Sequence, residues 1–309
     1  MASNSGINFK KLYLMTLPRS GATLLAQHLG LHSKVCHIGE SMYWELINPK
    51  DILCSCGKYK CPFINKIYKE INKKHIAKPL LKIWQIIDKK YWPNKALYKD
   101  SVIQKGAKIN KKTLDYWLAC SADSLNKIIA IFNKYINKEV YLDNTKLFNI
   151  GEELSRKSDW GIIVLTRDPR GIMSSYKNAG IRKGDNRSAI DVLPLTKDFL
   201  KCALHIKNKT NVCFVRYEDF CKNPTKTLMQ LTRFIGINFE SKMLNPINKD
   251  IKSRGHIIKG NRLLQKKELI RISEDKTWQR NLSMRELNAI YSDKNLKKLY
   301  KEFGYNIDK

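Results

Sequence analysis

Four residues in one short turn, Arg19, Ser20, Gly21 and Thr23, have the types and spacing to hold an anion. The turn joins an apolar run, Leu12–Thr16, to a helical stretch carrying Leu24, Leu25, Leu29 and Leu31. A strand that turns into a helix in this way aims backbone N–H groups at one point. The helix N-terminus adds partial positive charge there, and Arg19 adds a full one. The nucleoside-triphosphate version of such a loop, G-x-x-x-x-G-K-[ST], is absent, because no Lys follows Gly21 and no Gly stands five residues before it. A second place of the same kind follows the run Gly161–Thr166, where Arg167 opens a segment containing Ser174 and Ser175. A guanidinium at a strand end and a hydroxyl a helical turn inside the next helix can converge on one phosphate.

Together the two motifs resemble those of the sulfotransferases that use 3′-phosphoadenosine-5′-phosphosulfate (PAPS). Pro18-Arg19-Ser20-Gly21-Ala22-Thr23 is similar to the family's 5′-phosphosulfate loop, P-[KR]-S-G-[ST]-T, with Ala22 where a hydroxyl residue is usual. Arg167 and, eight positions on, Ser175 are similar to its 3′-phosphate motif. The resemblance extends to Val215–Phe220, where it implies that Tyr217 contacts adenine, and to His256–Arg262. In that last segment it implies a basic loop over the cofactor, with Lys259, Gly260, Asn261 and Arg262 as contacts. Leu24 stands where the cytosolic branch carries an aromatic residue that stacks on adenine. With Arg19 in place of Lys, this puts the chain nearer the bacterial and tyrosyl-protein branches.

The resemblance implies transfer of a sulfuryl group from PAPS to a hydroxyl or amine, releasing adenosine 3′,5′-bisphosphate (PAP), with no metal required. It implies Glu40, in Ile38-Gly39-Glu40-Ser41, as the base that takes the acceptor proton. Lys146, in Asp143-Asn144-Thr145-Lys146, joins Arg19 as a candidate for the leaving-group side. The other candidate base, His75, is the one His between residue 38 and Arg167 and lies in a Lys-rich stretch.

Positioning these residues calls for a mostly parallel α/β sheet flanked by helices, as in P-loop-like folds, because short apolar runs alternate with helical stretches. The expected strands are Leu12–Thr16, Val140–Leu142, Gly161–Thr166 and Asn211–Val215. Ligands of such sheets bind beyond the carboxyl ends of the strands, where each of these clusters falls. Lys58–Lys112 carries 16 Lys against Glu70, Asp88 and Asp100, together with Trp84, Tyr91, Trp92 and Tyr98. It reads as a helical insertion between the first strand–helix unit and the rest of the sheet, shaping the acceptor site. Residues 1–309 read as one domain, since no Pro/Ser/Gly-rich linker or repeat divides them.

The net charge of +30 invites a nucleic-acid or anionic-surface partner. Lys outnumbers Arg 45 to 13, however, and Lys, Asn and Ile make up a third of the chain, the mark of an AT-rich genome. Readers of nucleic acid lean on Arg. A nucleic-acid or anionic-surface binder and a P-loop-like small-molecule kinase are thus the alternatives to a sulfotransferase. No stretch approaches the ~20 apolar residues of a bilayer span, which points to a cytoplasmic protein with reduced thiols and at most peripheral membrane contact. Of its eight cysteines, Cys54, Cys56 and Cys61 form a tight group. They could begin a zinc site with Cys36 or His37 as fourth ligand, but lack the paired C-x₂-C spacing and read as structural thiols.

Overall fold

In the computed structural model, which describes residues 9–51, 53–91, 110–181, 188–244, 256–257 and 272–308, the run Lys11–Thr16 forms strand β1. Helix α1 (Ala22–Gly30) and strand β2 (Val35–Gly39) follow it. Helices α2 (Pro62–Lys73), α3 (Lys78–Tyr91) and α4 (Lys111–Tyr135) then lead to β3 (Val140–Asp143). Next come α5 (Phe148–Leu154), β4 (Trp160–Thr166), α6 (Pro169–Ile181), α7 (Leu193–His205) and β5 (Val212–Arg216). After β5 the chain forms α8 (Tyr217–Lys222), α9 (Pro224–Ile235), α10 (Trp278–Asn281), α11 (Met284–Tyr291) and α12 (Lys294–Lys301).

The five strands form one sheet in the order β2-β3-β1-β4-β5, and every pairing is parallel. Parallel neighbours need crossovers that cover both faces, so the central strands are buried on both sides. Side chains alternate accordingly. Tyr13, Met15, Ile162 and Val164 face one core, which also takes in α4, α5 and α7, while Leu12, Leu14, Ile163 and Leu165 face the other, with α1 and α9.

The four expected strands are present, with ends shifted by a residue at Lys11, Asp143, Trp160 and Val212–Arg216. β2 was not among them: its sequence, Val-Cys-His-Ile-Gly, is short and mixed, yet all five residues are buried. The Lys-rich stretch therefore begins after β2 and forms part of the β2-to-β3 crossover. Its Ile64, Ile67 and Ile71 on α2 and Leu80 and Ile83 on α3 recur at helical spacing and are buried in the larger core. Exposed Lys66, Lys69 and Lys73 lie on the rest of α2, and exposed Lys74 follows its end. Trp84 packs against that core, whereas Trp92 and Tyr98 lie outside the described residues.

Candidate active site

At the end of β1 the backbone enters the left-handed region twice, at Arg19 (φ 76°) and Gly21 (φ 89°), before α1 begins. No side chain caps α1, so the N–H groups of Ala22, Thr23 and Leu24 have no partner within the helix, which bonds first from Leu25 N to the Gly21 carbonyl at 3.1 Å. Ser20 is buried and its Oγ has no hydrogen-bond partner among the described residues. A buried hydroxyl of this kind costs stability unless a ligand completes it. Leu24 turns its side chain into the core, leaving its backbone N–H as what it offers a ligand. Gly21 is dictated twice over: by its positive φ, and by Tyr217, whose Cδ2 would lie 2.4 Å from a Cβ there.

Tyr217 opens α8 directly after β5, and its ring carries the Arg167 guanidinium at 4.4 Å from the centroid. Arg167, 5% exposed, donates through Nη1 to the Arg19 carbonyl at 2.8 Å and through Nη2 to Asp275 Oδ2 at 3.1 Å. The guanidinium lies so close to α6 that a Cβ on Gly171 would sit 2.7 Å from Arg167 Nε. The Tyr217 hydroxyl donates to the Ser273 carbonyl at 3.1 Å and accepts from Asp275 N at 3.3 Å. Burial pushes that phenol well above its ordinary range, so it stays neutral. The first loop, Arg167 and Tyr217 thus form one interlocked unit across β1, β4 and β5.

Asp275 had no sequence signal. Burial alone would raise its carboxyl, but hydrogen bonds from Thr277 and the Arg167 guanidinium hold it below the usual carboxylate range. On the same side of Arg167 lies a cavity of about 210 Å³, lined by Asp168, Glu218, Glu274 and Asp275 along with Arg170 and Trp278. Ser175 sits nearer two turns into α6 than one, half-buried. Its neighbour Ser174 is the hydroxyl that meets the C-terminal segment, 3.5 Å from Thr277 Oγ1.

Across the sheet, Glu40 follows β2 and Lys146 follows β3, and the Lys146 ammonium donates to Glu40 Oε1. Both are largely buried, with side chains 7% and 13% exposed. The strand ends beneath them are laced together. Ser41 N donates to Thr145 Oγ1 at 2.9 Å, Thr145 N to Asp143 Oδ1 at 2.8 Å, and the Ser41 hydroxyl to Asp143 Oδ2. Full burial pushes the Asp143 carboxyl up to about 6, against the opposing pull of those hydrogen bonds. His75, by contrast, is exposed at the end of α2 and meets Glu45 at 3.3 Å.

Glu40, Lys146, Arg19, Arg167 and Tyr217 each stand within three residues of the carboxyl end of a different strand. Taken in sheet order they form a row from β2 to β5. With strands ~4.8 Å apart, that row spans about 20 Å. Ile257 lies over its β2 end, with Cγ2 2.9 Å from where a Gly39 Cβ would stand. Lys259, Gly260, Asn261 and Arg262, just beyond, lie outside the described residues. Cys54, Cys56 and Cys61 come together with His256, their ligand atoms within 4.8 Å of one another. The group does not include Cys36 or His37, so His256, 195 positions from Cys61, takes the place expected for one of them.

Comparison with known proteins adds to this geometry. The sulfotransferase domain family model matches residues 9–302. No curated protein matches the chain by sequence. Among solved structures, the chain is similar to a sulfotransferase domain from the curacin biosynthetic pathway, with a TM-score of 0.53 and 15% identity over 98% of this chain and 99% of that one. A sulfotransferase domain from the Synechococcus PCC 7002 olefin synthase is similar at 15% identity over 99% and 98% of the two chains, with a TM-score of 0.48. A mouse sulfotransferase complexed with PAP is similar at 13% identity over 95% and 84%, with a TM-score of 0.47. The first of these likenesses establishes a shared fold. Among the described residues, no helix is long and apolar enough to cross a membrane.

Proposed function

The chain belongs to the sulfotransferase domain family, and from that premise we propose that it moves a sulfuryl group from PAPS to a hydroxyl or amine and releases PAP. The observation that carries this reading is the first loop. A buried Ser20 Oγ without a partner among the described residues, and the N-terminus of α1 with its first N–H groups free of helix bonds, converge beside the Arg167 guanidinium. That donor set fits a nucleotide with phosphates at both its 5′ and 3′ positions.

In this reading the N–H groups of Ala22, Thr23 and Leu24, with Ser20 and Thr23, hold the 5′-phosphosulfate, and Arg19 adds positive charge at its edge. Arg167 and Ser175 hold the 3′-phosphate, and Tyr217 keeps the guanidinium in place beside the adenine. Lys259, Gly260, Asn261 and Arg262 supply further contacts to that phosphate. Glu40 accepts the proton of the attacking hydroxyl or amine. As the new bond to sulfur forms, the bond from sulfur to the bridging oxygen breaks, and Lys146 and Arg19 meet the charge left on the 5′-phosphate. The Glu40–Lys146 ion pair sets the proton acceptor and the cation side by side before the acceptor arrives.

The exposed lysines of α2 favour an anionic acceptor, such as a glycan, lipid or peptide. Eight free thiols favour a reducing, cytoplasmic setting. Incubation with PAPS and a panel of hydroxyl and amine acceptors, followed by mass spectrometry for PAP and the sulfated product, tests the reaction. PAP formation that depends on an acceptor is the expected result; consumption of ATP with PAPS untouched would overturn it. For an anionic acceptor, turnover at limiting concentration falls as salt rises, and salt-insensitive turnover contradicts electrostatic recruitment.

A further inference from the structure

Three thiols within eight residues and an imidazole 195 positions beyond the last of them meet at the rim of the sheet. Cys56 Sγ lies 3.7 Å from Cys61 Sγ, Cys61 Sγ 3.4 Å from His256 Nδ1, and Cys54 Sγ 3.6 Å from the same nitrogen. A tetrahedral zinc with Zn–S near 2.3 Å and Zn–N near 2.0–2.1 Å requires S···S separations of about 3.8 Å and S···N of about 3.5 Å. A disulfide requires ~2.05 Å between sulfurs, so the 3.7 Å pair is not one. We propose that Cys54, Cys56, Cys61 and His256 bind one zinc ion, in a closed Cys₃His site that fastens residues 256–257 to the turn before α2.

The backbone is arranged for this. Gly57 (φ 83°) and Lys60 (φ 53°) fold the 54–61 segment back on itself, with Gly57 N donating to the Cys54 carbonyl at 2.8 Å and Cys54 N to the Lys58 carbonyl at 3.0 Å. Cys61 is the N-cap residue of α2, so the start of that helix fixes its position. A two-way bond brings in the distant strand of chain: Ser55 N donates to the Ile257 carbonyl at 3.0 Å, and Ile257 N to Ser55 Oγ at 2.8 Å. Phe63 stacks on the His256 ring at 4.3 Å and fixes its plane, so that Nδ1 faces the sulfurs.

Cys54 and Cys61 are buried, while Cys56 and His256 are half-buried, which leaves a path for an ion from solvent. Three thiolates around a divalent cation leave one negative charge, and exposed Lys58 and Lys60 flank it. Soft sulfur with one imidazole selects zinc over hard cations, and four protein ligands leave no open position for catalysis. The role is structural: the ion would hold Ile257 over Gly39, next to Glu40.

The test is elemental analysis of the full chain purified without chelator, with and without His256→Ala and Cys61→Ser. Close to one equivalent of zinc that survives gel filtration is expected, with loss of most of it in both variants. Because either variant can lose metal by misfolding, a His256→Cys chain provides a Cys₄ set and restores binding. Cobalt added to the chelated wild-type chain should give the visible bands of a tetrahedral thiolate site, and chelation should lower the melting temperature. Substoichiometric zinc with all three thiols open to reagent in the native chain would overturn the proposal. So would a mass lower by two hydrogens from a disulfide, or zinc retained unchanged in His256→Ala.

Discussion

The two halves of the strand-end row are built by different means. On the β1–β4–β5 side, backbone does the positioning. Gly21 and Gly171 clear room, α1 presents its amides, and Arg167 is held by the Arg19 carbonyl and the Tyr217 ring. On the β2–β3 side, side chains do it. Glu40 meets Lys146, and their chain neighbours Ser41 and Thr145 are both tied to the buried carboxylate of Asp143. A backbone-made site tolerates few substitutions and is the natural seat of an invariant ligand such as a nucleotide. A side-chain pair is easily retuned, which suits the half proposed to do proton transfer for an acceptor of any shape.

Substitutions at each half therefore produce different failures. The largest expected effect is Glu40→Gln, which lowers kcat by ~10²-fold or more while leaving PAP affinity near that of the parent. Rate and affinity falling together would erase the division between the halves, and an unchanged rate would remove Glu40 from the chemistry. Gly21→Ala comes next. Strain at positive φ together with the clash against Tyr217 costs about 2–5 kcal/mol. PAP binding and thermal stability both drop, whereas Ala at a merely permissive turn would change neither.

On the β2–β3 side, the buried carboxyl of Asp143 makes stability depend on pH. Asp143 keeps its proton in the folded chain up to about pH 6, against an ordinary value of 3.8. Between those values the folded state binds more protons than the unfolded one, so this group's contribution to stability falls as pH rises, by about 3 kcal/mol in total. Asp143→Asn removes that contribution, so the melting temperature of the variant relative to wild type climbs from about pH 4 to about pH 7. A constant difference over that range would contradict a protonated Asp143. The smallest effect is at Asp275, which shares the Arg167 guanidinium that a 3′-phosphate would use. Asp275→Asn keeps an acceptor and removes the competing charge, tightening PAP by several-fold, about 1 kcal/mol. Calorimetry at two salt concentrations checks it, and weaker binding would mean that the carboxylate positions Arg167 for the ligand.

The same division governs what could be read in advance. The β1 motif is local, a strand and a turn within a few residues, so Arg19, Ser20 and Gly21 are legible as an anion turn from residue types and spacing, whereas Arg167 is singled out by its likeness to a family motif. Glu40 and Lys146 were reached only through family resemblance, because their pairing depends on β2 and β3 lying side by side. β2 itself escaped detection: Cys36 and His37 interrupt its apolar pattern, although burial and parallel pairing with β3 make it a strand. In the Lys-rich stretch charge dominates the composition, while Ile64, Ile67, Ile71 and Ile83, at helical spacing, belong to the main core. Asp275 and His256 lie far from their partners in sequence, and no periodicity links residues so separated.

The row of strand ends is proposed to seat a nucleotide phosphorylated at both 3′ and 5′ positions. Isothermal titration of the wild-type chain with PAP, 5′-AMP and ATP tests it directly. PAP should bind more tightly than both, and its advantage over 5′-AMP should vanish in Arg167→Ala. ATP binding more tightly than PAP, or PAP and 5′-AMP binding alike in the wild-type chain, would contradict it.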